Sequence, residues 1–298
     1  MGGNFLSRLQ TTWRDLVSRV ENIEATAQST AQQLSSAQSA VETDLRDQYR
    51  AYSFDYTWAE ETPYITHALG GIDGYTYTNS LEAFEYNYEK GCRVFEVDLV
   101  LTDEDYRLVA AHDADNWREQ TGADASVSFN SENFLAYPLY GKYTPLTGED
   151  VLRLMAKYPD IYIITDTKET EKAKVLMEFY QLVSLAEGID ATVLNRLIPQ
   201  IYSEEMLQWI MEIYPFRSVI YTLYKTRWTA DTLLCFCHES GIRYVTMPDS
   251  RFSVDTLRKL DTMGIRVAVH TVDDRDRADE LLDAGVTGIY TDTLGRAE

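Results

Sequence analysis

Basic residues are scarce in this chain: 27 Lys and Arg stand against 48 Asp and Glu, for a formal net charge of −21. A protein with that balance repels phosphate backbones and anionic membrane faces, so nucleic acid is not an expected partner. To handle an anionic ligand it must supply positive charge locally, and a bound cation is the simplest source. Cysteine is scarce too. Cys92, Cys235 and Cys237 cannot form a fully paired disulfide framework. His238 stands beside the Cys235–Phe236–Cys237 triplet, but there is no second thiol pair or histidine array to make a zinc site, so the thiols read as packed core groups in a reducing compartment. No run approaches the roughly 20 apolar residues that span a bilayer. The start MGGNFLSRLQ lacks the apolar centre of a signal peptide. As it stands the chain reads as cytoplasmic, and a membrane-anchored or exported parent with that segment removed would read the same way.

What is present is core material. With 298 residues, 45% of them hydrophobic, and 21 tyrosines, the chain can build one large domain with an appendage. The first fifty residues differ from the rest. Leu9, Trp13, Leu16, Val20, Ile23, Ala27, Thr30, Leu34, Ala37 and Val41 follow steps of four and three, a heptad seam with small or polar members in its middle. The spacing predicts a long helix, either a coiled-coil arm or a helix lying against the following domain. Residues 1–61 are read as this arm and its linker, and residues 62–298 as a second domain.

From about Pro63 short apolar strands alternate with helices. Strand candidates are PYITH, CRVFEVDLVL, RLVAAH, IYIIT, LIPQIY, RSVIYTLY, IRYVTM, IRVAVHT and TGIYT. That alternation indicates a parallel sheet covered by helices, and about eight units in about 235 residues fit an α/β TIM (β/α)8 barrel. No GxGxxG follows the first strand, which leaves a Rossmann fold without its phosphate loop. Nine strand candidates compete for eight staves. The tight TDED connection predicts that EVDLVL and RLVAAH form a hairpin-like spur.

In such a barrel the functional groups belong at the C-terminal strand ends. His67 is expected to end the first strand and His112 the third. Glu96 and Asp98 lie two apart on the second strand and therefore point to one side, shared with Val94 and Val100, while Phe95, Val97 and Leu99 face the other way. Two buried carboxylates are costly to desolvate, and a hard divalent cation such as Mg²⁺ or Ca²⁺ resolves that cost with oxygen ligands. Asp166 and Lys168 share one side at the end of the fourth strand. Asn79, with Glu82 three residues on and Gly91 as a stop, is read first as a helix cap.

The stretch HALGGIDGYTYTNSLEAFEYNYEKGCRVFEVDLVLTDEDYRLVAAHD resembles the opening signature of glycerophosphodiester phosphodiesterases. The signature runs as a histidine followed by a glycine, an ENT-like helix start, AF, a glycine, an ExD strand, LT, and a strand ending in HD. The resemblance continues through TPLTGEDVL, ITDTK, VAVHTVDD and GVTGIYTDT, over residues 62 to 294. It implies a TIM barrel and hydrolysis of a glycerophosphodiester to glycerol phosphate and an alcohol. It makes His67 and His112 the acid–base pair, without saying which is which. Glu96, Asp98 and Asp166 become ligands of one divalent cation, and Lys168 reaches the phosphate.

The chain departs from the pattern in three places. Ala68 stands where the family has an arginine, and Asp166 where it has a glutamate, as in the related sphingomyelinase D-like enzymes. His270 replaces the tryptophan of a WTVN-like strand; it is read equally as a substrate contact and as a hydrogen-bonded barrel-top residue. Two other readings stand beside the leading one: a phospholipase of C or D type acting on a lipid or lysolipid phosphodiester, and a non-catalytic barrel scaffold. The expected partners are a small-molecule or lipid phosphodiester and, through the N-terminal helix, a second copy of the chain.

Overall fold

The computed structural model describes residues 52–295, together with residues 18, 22, 25, 26 and 28–37 of the N-terminal segment. The chain divides into two compact units, residues 1–50 and 51–298. In the first unit the described residues are helical and exposed. Of the heptad seam, Thr30, Leu34 and Ala37 are among them, and Leu34 is 71% exposed. Leu9, Trp13, Leu16, Val20, Ile23, Ala27 and Val41 lie outside the described residues. No described helix is long and apolar enough to cross a membrane.

The second unit is a closed barrel. Its staves are β1 (Tyr64–Thr66), β2 (Val94–Leu101), β4 (Tyr162–Asp166), β5 (Leu197–Ile201), β6 (Ile220–Thr222), β7 (Tyr244–Pro248), β8 (Arg266–His270) and β9 (Gly288–Thr291). The remaining strand, β3 (Leu108–Ala110), runs antiparallel to the end of β2 and stands outside the ring as the expected spur, with Leu99 opposite Ala110. Every other ladder is parallel, and β1 closes the ring by pairing with both β9 and β2. The helices are α1 (Leu81–Glu89), α2 (Ala114–Thr121), α3 (Ser131–Ala136), α4 (Gly148–Lys157), α5 (Lys172–Ile189), α6 (Glu204–Ile213), α7 (Ala230–Ser240), α8 (Val254–Asp261) and α9 (Arg275–Asp283). Helix starts follow local chemistry. At α4, Thr147 accepts from the Asp150 N–H, and Asp150 returns a bond to the Thr147 N–H.

Two apolar layers follow from the two faces of each strand. Phe95, Val97 and Leu99 join the large cluster beneath the helices, as their alternation requires. Inside the barrel, each stave contributes one residue to a compact layer: Ile65, Val94, Ile164, Ile198, Ile220, Tyr244, Ala268 and Tyr290. Tyr56 and Trp58, from the stretch read as linker, complete this layer. Trp58 lies 5.0 Å from the Tyr244 ring and donates to Ser218 Oγ. Gly288 is required here, because a Cβ at that position would meet the Tyr244 hydroxyl at 2.2 Å. The opposite, C-terminal end is left for polar groups. Cys92 and Cys237 are buried as expected, whereas Cys235 is exposed on α7 because it falls off that helix's buried face.

Candidate active site

Glu96 and Asp98 project from β2 into the barrel mouth, both buried. The parallel register sets Asp98 opposite Asp166 on β4, so three carboxylates converge; one oxygen from each lies within 4.8 Å of the others. Each carboxylate is held. The Ala68 N–H donates to Glu96 Oε2 at 2.8 Å. Asn79 clamps Asp98 twice, its Nδ2 donating to Oδ2 at 2.9 Å and its Oδ1 accepting from the Asp98 N–H at 3.1 Å. The Tyr202 hydroxyl donates to Asp166 and accepts from the Lys168 N–H. Lys168 turns its ammonium into the cluster, bonded to Asp98 and, at 2.9 Å, to Asp166 Oδ2.

His67 follows β1 directly, opening a short 3-10 turn, His67–Leu69, in which Ala68 and Leu69 both have positive φ. Barrel closure sets this turn beside the end of β9, and His67 Nδ1 donates to Asp292 Oδ1 at 2.9 Å. Because a carboxylate only accepts, the proton sits on Nδ1 and leaves Nε2 toward the cluster, 3.9 Å from Glu96. His112 lies two residues past β3, on the spur rather than at the end of a stave. It is half-exposed, with Nδ1 bonded to Asp113 Oδ2 at 2.7 Å. The Tyr77 ring stands near-perpendicular to both imidazoles, 4.6 Å from His67 and 5.5 Å from His112.

The electrostatics follow from burial and proximity. Burial and the Asp98 charge push the Glu96 carboxyl up. Burial also opposes ionisation of Asp98, but Lys168 and His67 hold it below the usual carboxylate range. Burial works against a charged His67, yet the Asp292 bond and the Glu96 and Asp98 charges raise it to about 9. At His270 burial, joined by the His67 charge, wins and lowers it to about 4. Three hard oxygen donors within 4.8 Å of one another, two of them on buried residues, form a set able to hold a divalent cation.

These groups open into one cavity of about 450 Å³, lined by His67, His112, Asp98, Asp166, Lys168 and His270 among others. Six of the seven residues singled out in the sequence therefore meet there, and Glu96 lines a smaller chamber of about 30 Å³ beneath, together with His67, Asp166 and His270. One reading is corrected. Asn79 does not cap α1: Ser80 is the cap, accepting from the Ala83 N–H, while Glu82 accepts from Thr144. Asn79, buried at φ 47°, holds Asp98 instead. Asp292, Tyr77, Tyr202, Tyr224 and Lys225 were missed. Only Asp292, in the terminal TDT, carried a sequence signal, as a polar residue just past an apolar strand.

A sequence model of the glycerophosphoryl diester phosphodiesterase family matches residues 70–296. The chain belongs to this family. It is thereby a phosphoric diester hydrolase by class. No curated protein sequence matches it. Among solved structures, the fold is shared with an Oleispira antarctica phosphodiesterase in complex with its product sn-glycerol-3-phosphate, at 16% identity and a TM-score of 0.63, covering 78% of this chain and 95% of that one. A glycerophosphodiester phosphodiesterase from Parabacteroides distasonis has 18% identity and a TM-score of 0.61, covering 77% and 92%. The corresponding Thermotoga maritima enzyme has 18% identity and a TM-score of 0.55, covering 78% and 94%. At such identities these likenesses speak for the fold, and the family match carries the classification.

Proposed function

We propose that this member of the glycerophosphoryl diester phosphodiesterase family hydrolyses a small glycerophosphodiester to glycerol phosphate and an alcohol, with one divalent cation. The observation that carries the reading is the convergence of His67, His112, Asp98, Asp166 and Lys168 on one cavity of about 450 Å³, with Glu96 completing the carboxylate cluster from the smaller chamber. The product named for the Oleispira antarctica relative, sn-glycerol-3-phosphate, supports the substrate class. Glu96, Asp98 and Asp166 would hold Mg²⁺ or Ca²⁺, which supplies charge neutralisation on the non-bridging phosphate oxygens.

The rest of the chemistry belongs to the side chains. A water oxygen attacks phosphorus while the bond from phosphorus to the alcohol oxygen breaks. One histidine of the His67/His112 pair takes the water proton, and the other returns a proton to the departing alkoxide. Asp292 and Asp113 fix the two imidazoles with Nδ1 protonated, so that Nε2 is the working atom of each. Lys168 adds positive charge beside the phosphate, and His270, neutral at physiological pH, offers a polar contact on the far wall. The test is turnover of glycerophosphocholine by wild type and Asp166→Asn, after chelation and with cation restored. Wild-type activity is expected to vanish with chelator and return with Mg²⁺ or Ca²⁺, and Asp166→Asn to need a higher cation concentration. Full activity of rigorously metal-free protein would overturn the reading.

A further inference from the structure

Lys225 lies on the loop after β6 and lines the same cavity. Its ammonium rests over two aromatic faces, 4.9 Å from the Tyr202 centroid and 5.6 Å from that of Tyr224, and donates to the main-chain oxygen of Lys168. Both supporting rings are tied to the acidic cluster: Tyr202 donates to Asp166, and the Tyr224 hydroxyl reaches the same Asp166 oxygen at 3.5 Å. The two tyrosines therefore link Lys225 to Asp166, the third carboxylate of the cluster.

Its charge is differently employed from that of its neighbour. Lys168 is committed to Asp98 and Asp166. Lys225 has no carboxylate within ion-pair distance among the described residues, in a chain with 48 acidic side chains. Position 68 contributes no charge, since Ala68 is fully buried with its N–H on Glu96. An exposed ammonium left without a paired carboxylate, lining a polar cavity, is a receptor for an anion of the ligand. We propose that Lys225 receives the phosphate group of the bound diester and of the monoester product, and so sets the preference of the site for anionic ligands.

This assignment rests on the phosphodiesterase reading, and the experiment separates the two. Glycerol 3-phosphate is titrated calorimetrically into wild type, Lys225→Met and Lys225→Arg in the presence of Mg²⁺, and turnover is measured on glycerophosphocholine and glycerophosphoglycerol. Lys225→Met is expected to weaken monoester binding about tenfold, as loss of one charge-assisted hydrogen bond does, and to raise KM for both diesters by a similar factor. Its kcat and melting temperature should stay close to wild type, and Lys225→Arg should recover most of the affinity. Unchanged monoester affinity in Lys225→Met would overturn the proposal. So would a KM effect confined to one diester, which places Lys225 against the alcohol. A fall in kcat and melting temperature that Arg does not restore would overturn it as well, leaving Lys225 as a brace for the Lys168 turn. If wild type cleaves neither diester, the hydrolase reading fails, and the calorimetric comparison still decides Lys225: weaker binding by Lys225→Met upholds it, while equal binding or none overturns it.

Discussion

At the scale of single residues, the two histidines work from unequal supports. His67 is mostly covered and bonded to Asp292, while His112 is half-exposed on a flanking spur and bonded to its own neighbour Asp113. Neither imidazole fills a core position, so truncation should remove proton transfer without opening a large void. His67→Ala and His112→Ala are each expected to lower kcat by roughly 10²–10⁴-fold, the usual worth of positioned acid–base catalysis, with melting temperatures near wild type. Near wild-type turnover in either variant would remove that residue from the pair. Asp292→Asn tests positioning. The amide can present a donor to Nδ1 and favour the wrong tautomer, so kcat should fall, by less than in His67→Ala, while KM moves little.

At the scale of elements, the turn after β4 has an uncommon support. Lys168 stands at φ 63°, and behind the turn the Glu178 side chain of α5 is buried. Burial, reinforced by Glu169, pushes the Glu178 carboxyl up to about 9. In the unfolded chain that carboxyl ionises near its ordinary value of 4.5. Between those two values the folded protein holds a proton that the unfolded chain has released. Glu178 therefore costs no stability below the lower value and progressively more as pH rises toward the upper one. Glu178→Gln removes this titration at nearly constant volume. Its melting temperature, relative to wild type, should rise steadily between about pH 5 and pH 9. Parallel melting profiles across that range would show that Glu178 is not held protonated.

At the scale of the whole molecule, closure of the ring is what makes the site. Only because β1 pairs with both β9 and β2 does His67 meet Asp292, 225 residues away in sequence, and Ala68 meet Glu96, 28 residues away. Among the described residues, those lining the cavity all come from residue 67 onward. We propose that residues 1–50 serve assembly, through the heptad seam. Removing them should leave kcat and KM within about twofold, inside the ordinary reach of a remote change, and lower the mass measured by light scattering. A truncated protein that stays folded but loses activity would overturn this, as would an unchanged mass.

The sequence by itself determined whatever depends on local period. Alternation on β2 sent Glu96 and Asp98 to one side and Phe95, Val97 and Leu99 to the other, because successive strand residues face opposite ways whatever surrounds them. Eight apolar runs between helices specified the barrel, and the tight TDED turn specified the spur. Tertiary structure decided the partners. Asn79 and Glu82 fit the local pattern of a helix cap, but ring closure placed Asp98 beside Asn79 and Thr144 beside Glu82, and Ser80 became the cap. Asp292 at His67 and Lys225 over two tyrosines were likewise invisible. The His67–Asp292 and Lys225–Tyr202 contacts join residues far apart in the chain, and no local period encodes which strand end the closed barrel will bring to which.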